Sequence, residues 1–228
     1  MRIKTSHVLF LTLIASCTAF GAGGGSAPSS LPSVQSREPP SPEEQARAAY
    51  NTAIRGVEKG DSLLADAARQ TDERKQEKLR KKAVDAYEGA ARKFARAVEV
   101  RPGMYEGWNY LGYCHRKMGK FDAALTAYDR ALSLKPDYAE AVEYRGHAYL
   151  GLNRLPEAKQ AYLSLFGSNR KLAASLLGAM QQWVGEHRGG AGVDAGSFDA
   201  FASWVNERSV IASQTASMTR EGASHAWQ

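Results

Sequence analysis

The chain is poor in the residues that usually announce chemistry. It has two cysteines in 228 residues, Cys17 and Cys114, so no disulfide framework exists and no CxxC pair is present. Its five histidines are scattered: His7, His115, His147, His187 and His225. No HExxH pair and no Gly-rich phosphate loop occurs, and the glycines at 189 to 192 follow a helical pattern instead of opening one after a strand. Cys114 has no base beside it, because its neighbour His115 points elsewhere on a helix, so it reads as a packed interhelical residue. These absences argue against an enzyme and leave no expected cofactor or metal. The net charge of +6 is spread among Lys/Glu and Arg/Glu neighbours, not gathered into a basic stripe with interleaved aromatics, so no nucleic-acid partner is expected. Only one long apolar run exists, Val8 to Ala15, interrupted by Thr12. It is too short for a retained membrane span, and nothing later in the chain is long enough either.

What the sequence does contain falls into three parts. Residues 1–16 carry Arg2 and Lys4 before the apolar run, the order of a secretory leader. Residues 17–42 include GAGGGSAPSSLPSVQSREPPSP, which has no periodicity and reads as a flexible Gly/Ser/Pro tether. From Ser41-Pro42-Glu43-Glu44, a helix-start signature, the pattern becomes helical throughout. Apolar residues at three-and-four spacing mark one helix from Ala46 to Ala68 and a second from Leu79 to Val98, the pair forming a hairpin over 43–104. The charged run from Asp72 to Lys82 is read as lengthening both helices.

The next stretch, WNYLGYCHRKMGKFDAALTAYDRALSLKP, places Trp108, Leu111, Gly112, Ala124, Tyr128, Ala131 and Pro136 at intervals that resemble the tetratricopeptide repeat (TPR). A shift of 34 residues lays Gly112 on Gly146, Ala124 on Ala158 and Tyr128 on Tyr162. The reverse shift lays Tyr128 on Phe94 and Pro136 on Pro102. The expected fold is all-α: a helix-turn-helix solenoid of about three repeats, with units at 105–138 and 139–172 and a degenerate first one. Small residues sit where paired helices cross, large ones fill the space around the crossing, and Pro136 ends the second helix. Residues 173–216 read as C-terminal capping helices, the second capped by Ser197, and 217–228 as a disordered tail.

The resemblance implies a concave face lined by the first helix of each repeat. Its outward positions are Glu106, Asn109, Tyr113, Arg116 and Lys117, then Glu140, Glu143 and His147, a polar mixed-sign groove suited to an extended peptide or a helix. Family members that hold acidic C-terminal motifs use a Lys/Asn/Arg carboxylate clamp. Here Tyr113 stands where the clamp Asn would be, so that specificity is not carried over. The tetrapeptide Ile14-Ala15-Ser16-Cys17 resembles a bacterial lipobox, which implies lipidation at Cys17, a membrane anchor through the N-terminal lipid, and, since Thr18 is not Asp, the outer membrane facing the periplasm. Ordinary cleavage near Gly21 is the alternative, leaving a soluble periplasmic or secreted protein. The function that follows is protein–protein interaction as an envelope adaptor or assembly scaffold. Self-association of exposed helical edges and binding to peptidoglycan are the other readings.

Overall fold

A computed structural model gives the fold for residues 39–188 and 192–224, with side-chain surroundings as far as 215. The expected leader and most of the tether lie outside the described residues. Eight helices follow one another among the described residues: α1 (Pro42–Ala68), α2 (Glu73–Val100), α3 (Tyr105–Lys117), α4 (Phe121–Leu134), α5 (Ala139–Gly151), α6 (Leu155–Ser168), α7 (Arg170–Glu186) and α8 (Ala195–Ser224). No strand occurs among them. They pair as hairpins, α1 with α2, α3 with α4 and α5 with α6, and each hairpin packs on the next. This is the all-α repeat architecture that the spacing implies.

Local chemistry sets the helix ends. Ser41 and Glu44 form a reciprocal capping box at the start of α1, with Glu44 Oε2 accepting from the Ser41 N–H at 2.8 Å. Asp72 caps α2 by accepting from the N–H groups of Arg74 and Lys75. α1 and α2 have 27 and 28 residues against 13 and 14 for α3 and α4. The charged segment after Asp72 is therefore helix, and it carries the first hairpin well past the length of a single repeat. Between α6 and α7 there is a single-residue joint. Asn169 ends α6, and its side chain accepts from the Leu172 N–H at 3.1 Å to start α7. That joint stands where the repeat pattern has proline and this chain has Arg170.

The crossings rest on small residues under aromatic rings. A Cβ on Gly112 would lie 2.6 Å from the fully buried Tyr128 ring, and one on Gly60 would lie 2.6 Å from Tyr87. The first hairpin thus repeats the Gly112–Tyr128 arrangement with Gly60 and Tyr87. Phe94, which the 34-residue shift matches to Tyr128, stacks on Tyr110 of the next repeat at 5.4 Å, as Tyr128 meets Tyr144 at 6.2 Å, but no glycine lies under it. In the third unit a Cβ on Gly146 would meet Leu176 of α7 at 2.6 Å and Ala161 at 3.3 Å. Tyr162 packs edge-on against Trp204 of α8. Ala124, Ala131 and Ala158 are fully buried, and Leu111 is nearly so. Trp108 is half-buried and donates its indole N–H to the Pro102 carbonyl at 2.9 Å. Pro136 lies just past the end of α4.

α7 and α8 close the far end. Phe201 and Val205 of α8 are buried with Trp183, Met180, Leu176 and Tyr162. Asp194, and not Ser197, caps α8: its carboxylate accepts from the Ser197 N–H at 2.9 Å. The expected disordered tail begins at 217, yet α8 continues to Ser224. Residues 217–224 hold no proline and a single glycine, Gly222, and the helix carries on through them. Among the described residues no helix is long and apolar enough to cross a membrane.

Candidate functional site

The first helices of successive hairpins, α1, α3, α5 and α7, share one face of the array. α3 touches α5, and α5 touches α7. The eight residues expected to line that face fall on α3 and α5, and their surroundings differ sharply. Asn109 is 1% exposed, and its side-chain oxygen has no hydrogen-bond partner. Glu143 is also buried, 3.6 Å from His147 Nε2. Glu106, Tyr113, Arg116, Lys117 and His147 are half-buried, and Glu140 is exposed.

The residue that organises this face is Asp61 of α1. Its Oδ1 accepts from the hydroxyls of Tyr87 on α2 at 2.6 Å and Tyr113 on α3 at 2.7 Å, and lies 3.5 Å from Lys117 Nζ. One carboxylate therefore ties three helices together. Burial, and then the bond to Asp61, pushes both tyrosine hydroxyls far above their ordinary range. Burial likewise holds the Lys117 ammonium below its usual value, although Asp61 pulls the other way. Tyr113 and Lys117 thus present ring and methylene surface to the face while their polar ends are engaged inside the fold.

Aromatic rings run across the helices. Tyr50 of α1 meets Tyr110 of α3 at 5.9 Å, Tyr110 meets Tyr113 at 6.4 Å, and Tyr113 meets Tyr144 of α5 at 5.2 Å. The Arg116 guanidinium lies over the rings of Tyr113 and Tyr144, at 5.1 and 5.4 Å from their centres. Cys114, fully buried beneath this row, has its thiol pushed up to about 12 by burial.

Burial opposes the charge of Glu143, but hydrogen bonds from His147 and Ser175 and the charges of His147 and Arg116 outweigh it. The carboxyl is held below its ordinary value of 4.5. The sign follows directly. A carboxyl whose folded-state pKa is depressed stabilises the fold fully above the ordinary value and loses that contribution as pH falls through the depressed one. Thermal unfolding of the protein and of Glu143→Gln between pH 7 and pH 3 is expected to give a stability gap of about 1–2 kcal/mol at neutral pH that closes on acidification. An equal gap at every pH would show that the carboxylate charge contributes nothing.

Asp61, Tyr87, Tyr50, Tyr110, Tyr144 and Ser175 are not among the positions that the repeat spacing marks. Their hydroxyls and carboxylate lie at ordinary helical spacing, and only their meeting across helices gives them a role. No group of three or more potential metal-ligating side chains comes together among the described residues.

The tetratricopeptide repeat family model matches residues 105–138, the α3–α4 hairpin. No curated protein matches the chain. Solved structures with a similar course include the second TPR domain of the human RPAP3 protein in complex with an HSP70 peptide. It is 20% identical, covers 60% of this chain and 96% of that one, and has a TM-score of 0.44. The first TPR of Spaghetti (RPAP3) bound to an HSP90 peptide is 21% identical over 55% of this chain and 94% of that one, TM-score 0.38. A crystal structure of the MamA protein is 16% identical over 82% of this chain and 87% of that one, TM-score 0.47.

Proposed function

We propose that this chain is a protein-interaction module that holds an extended peptide segment of a partner protein on the face formed by α1, α3 and α5. The observation that carries the reading is Asn109. A side-chain amide 1% exposed, with an unpartnered oxygen, costs about 1–3 kcal/mol in a finished core. It is explained when a backbone N–H of a bound strand completes it. The row of rings from Tyr50 to Tyr144 beside it supplies half-buried apolar area at low entropic cost. Repeat solenoids work through such faces by passive recognition, without chemistry.

The leader and tether extend the proposal. Cys17, directly after an apolar run, would carry the lipid, and the Gly/Ser/Pro segment would let the repeat array reach partners from the membrane surface. The protein would then act as an envelope adaptor or scaffold at the outer membrane. Cys17→Ser should move it from the membrane to the soluble fraction, whereas unchanged fractionation excludes the anchor.

The face itself is tested by photocrosslinking in the producing cell, with a photoreactive residue at Tyr110 and a control at Lys159, which lies over the α8 rings. A discrete adduct with another protein at Tyr110 only, reduced about tenfold by Asn109→Ala, is the expected result. Adducts equal at both positions, or insensitive to Asn109→Ala, would overturn the reading.

A further inference from the structure

Folding gathers charge that the sequence spreads. α2 carries nine cations against five acids, so it holds +4 of the chain's net +6. Arg74, Lys78, Lys81, Arg92 and Arg96 recur at intervals of three, four or eleven residues, and all are exposed. They lie opposite the buried stripe of Ala83, Tyr87, Ala90 and Phe94, which packs on α1 and α3. Lys82 and Lys93 run beside this line. With Lys59 of α1 they rim an open hollow of about 540 Å³ floored by Gly56, Gly89 and Ala90, three ammonium groups against the one carboxylate of Asp85. Arg92 and Arg96 are paired with Glu88 and Glu99. The side chains of Lys59, Arg74, Lys78, Lys81, Lys82 and Lys93 are in no ion pair or hydrogen bond among the described residues.

Nothing on this surface is shaped for a small ligand. None of the buried, unpartnered polar atoms among the described residues lies on α1 or α2. No aromatic ring lines the hollow, so there is no stacking platform for nucleotide bases. Five of the six free cations are lysines, compact charges on flexible stems, not the planar forks that grip a single carboxylate or phosphate. The line from Arg74 to Arg96 covers 22 positions, about 33 Å of helix. A rod of exposed lysines of that length fits a flat, diffuse field of negative charge. α4 and α6, the second helices of the other hairpins, hold one cation each, Arg130 and Lys159. The surface is therefore particular to the lengthened hairpin.

We infer that the outer face of α2, with Lys59 beside it, is a docking surface for an anionic lipid bilayer, its lysines reaching the headgroups without insertion of the helix. The inference does not depend on the peptide face. α2 turns this side away from α1 and α3, whose residues form that face, so the array can lie on a membrane with the groove open. It is also separate from an N-terminal lipid. Each cation near an anionic surface adds attraction that salt screens. High salt therefore releases the α2 contact but not an acyl anchor, and fractionation of Cys17→Ser in high salt reads the anchor alone.

Vesicle co-sedimentation of the full-length chain carrying Cys17→Ser tests this. One set of vesicles is phosphatidylcholine alone, and the other is equal parts phosphatidylcholine and phosphatidylglycerol. Two triple variants remove the same charge: Lys78→Gln/Lys81→Gln/Lys82→Gln on α2, and Lys120→Gln/Arg130→Gln/Lys171→Gln elsewhere. All six residues are exposed, so neither variant disturbs the core. The expected result at low salt is preferential binding to the anionic vesicles, weakened about a hundredfold by the α2 variant and little changed by the other. Equal binding to both kinds of vesicle, or equal losses from the two variants, would overturn the inference. So would tighter binding to polyglutamate or to duplex DNA than to the anionic vesicles, lost with the same α2 substitutions. That result would make the surface a site for an acidic protein or a nucleic acid instead.

Discussion

Gly112→Ala is expected to destabilise the protein by about 2–3 kcal/mol, against the direction of helix propensity. In a free helix the change would gain about 1 kcal/mol. Here the new Cβ would stand 2.6 Å from the Tyr128 ring, which is fully buried and has nowhere to go. The α3–α4 crossing must open, and the packing under Leu111 and Ala127 opens with it. Gly89→Ala supplies the opposite sign. It sits in the middle of α2, with nothing within 4 Å of its new Cβ, and should stabilise by about 0.5–1 kcal/mol. Urea unfolding of the three proteins decides the matter. Two shifts of the same sign would mean that the Gly112–Tyr128 contact does not set the crossing distance.

The second large effect concerns Asp61. Asp61→Ala removes the acceptor shared by Tyr87 and Tyr113 and the counter-charge of Lys117, leaving two largely buried hydroxyls and a desolvated ammonium unpaired. Hydrogen bonds to a charged partner contribute about 1.5–3 kcal/mol each. Because the Asp61 side chain is 41% exposed, screening reduces the total to an expected loss of about 2–3 kcal/mol. A double-mutant cycle with Tyr113→Phe should return a coupling of about 1 kcal/mol or more. Additive losses would mean that the three helices are held by packing alone.

Legibility in the sequence differs between these two cases. Gly112 and Tyr128 are legible because the repeat enforces a constant spacing, and a small residue opposite a large ring is what a close helix crossing demands. The same logic reaches the first hairpin only in part. The period carries Phe94 to the contact Tyr128 makes with the next repeat, but the first hairpin is longer than one repeat, so its close crossing falls elsewhere, at Tyr87 over Gly60. Asp61 had no signal at all. It is one acid on an amphipathic helix, and its partners lie 26 and 52 residues away. The stripe from Glu106 to Lys117 was legible as a face, but its inner arrangement was not. Burial of Asn109 and Glu143 and the engagement of Tyr113 and Lys117 depend on which helices pack against them: α1 supplies Asp61 to Tyr113 and Lys117, and α7 supplies Ser175 to Glu143.

Cys114 makes this architecture measurable in time. It is the one thiol among the described residues and is wholly enclosed between α2, α3 and α4. With its thiol pushed up to about 12, almost none of it is thiolate at neutral pH while the fold is closed. A thiol reagent can therefore react only in the intervals when the second hairpin separates from the first. The labelling rate is a clock for local opening beneath the peptide face, and a bound ligand that clamps α1 to α3 would slow it.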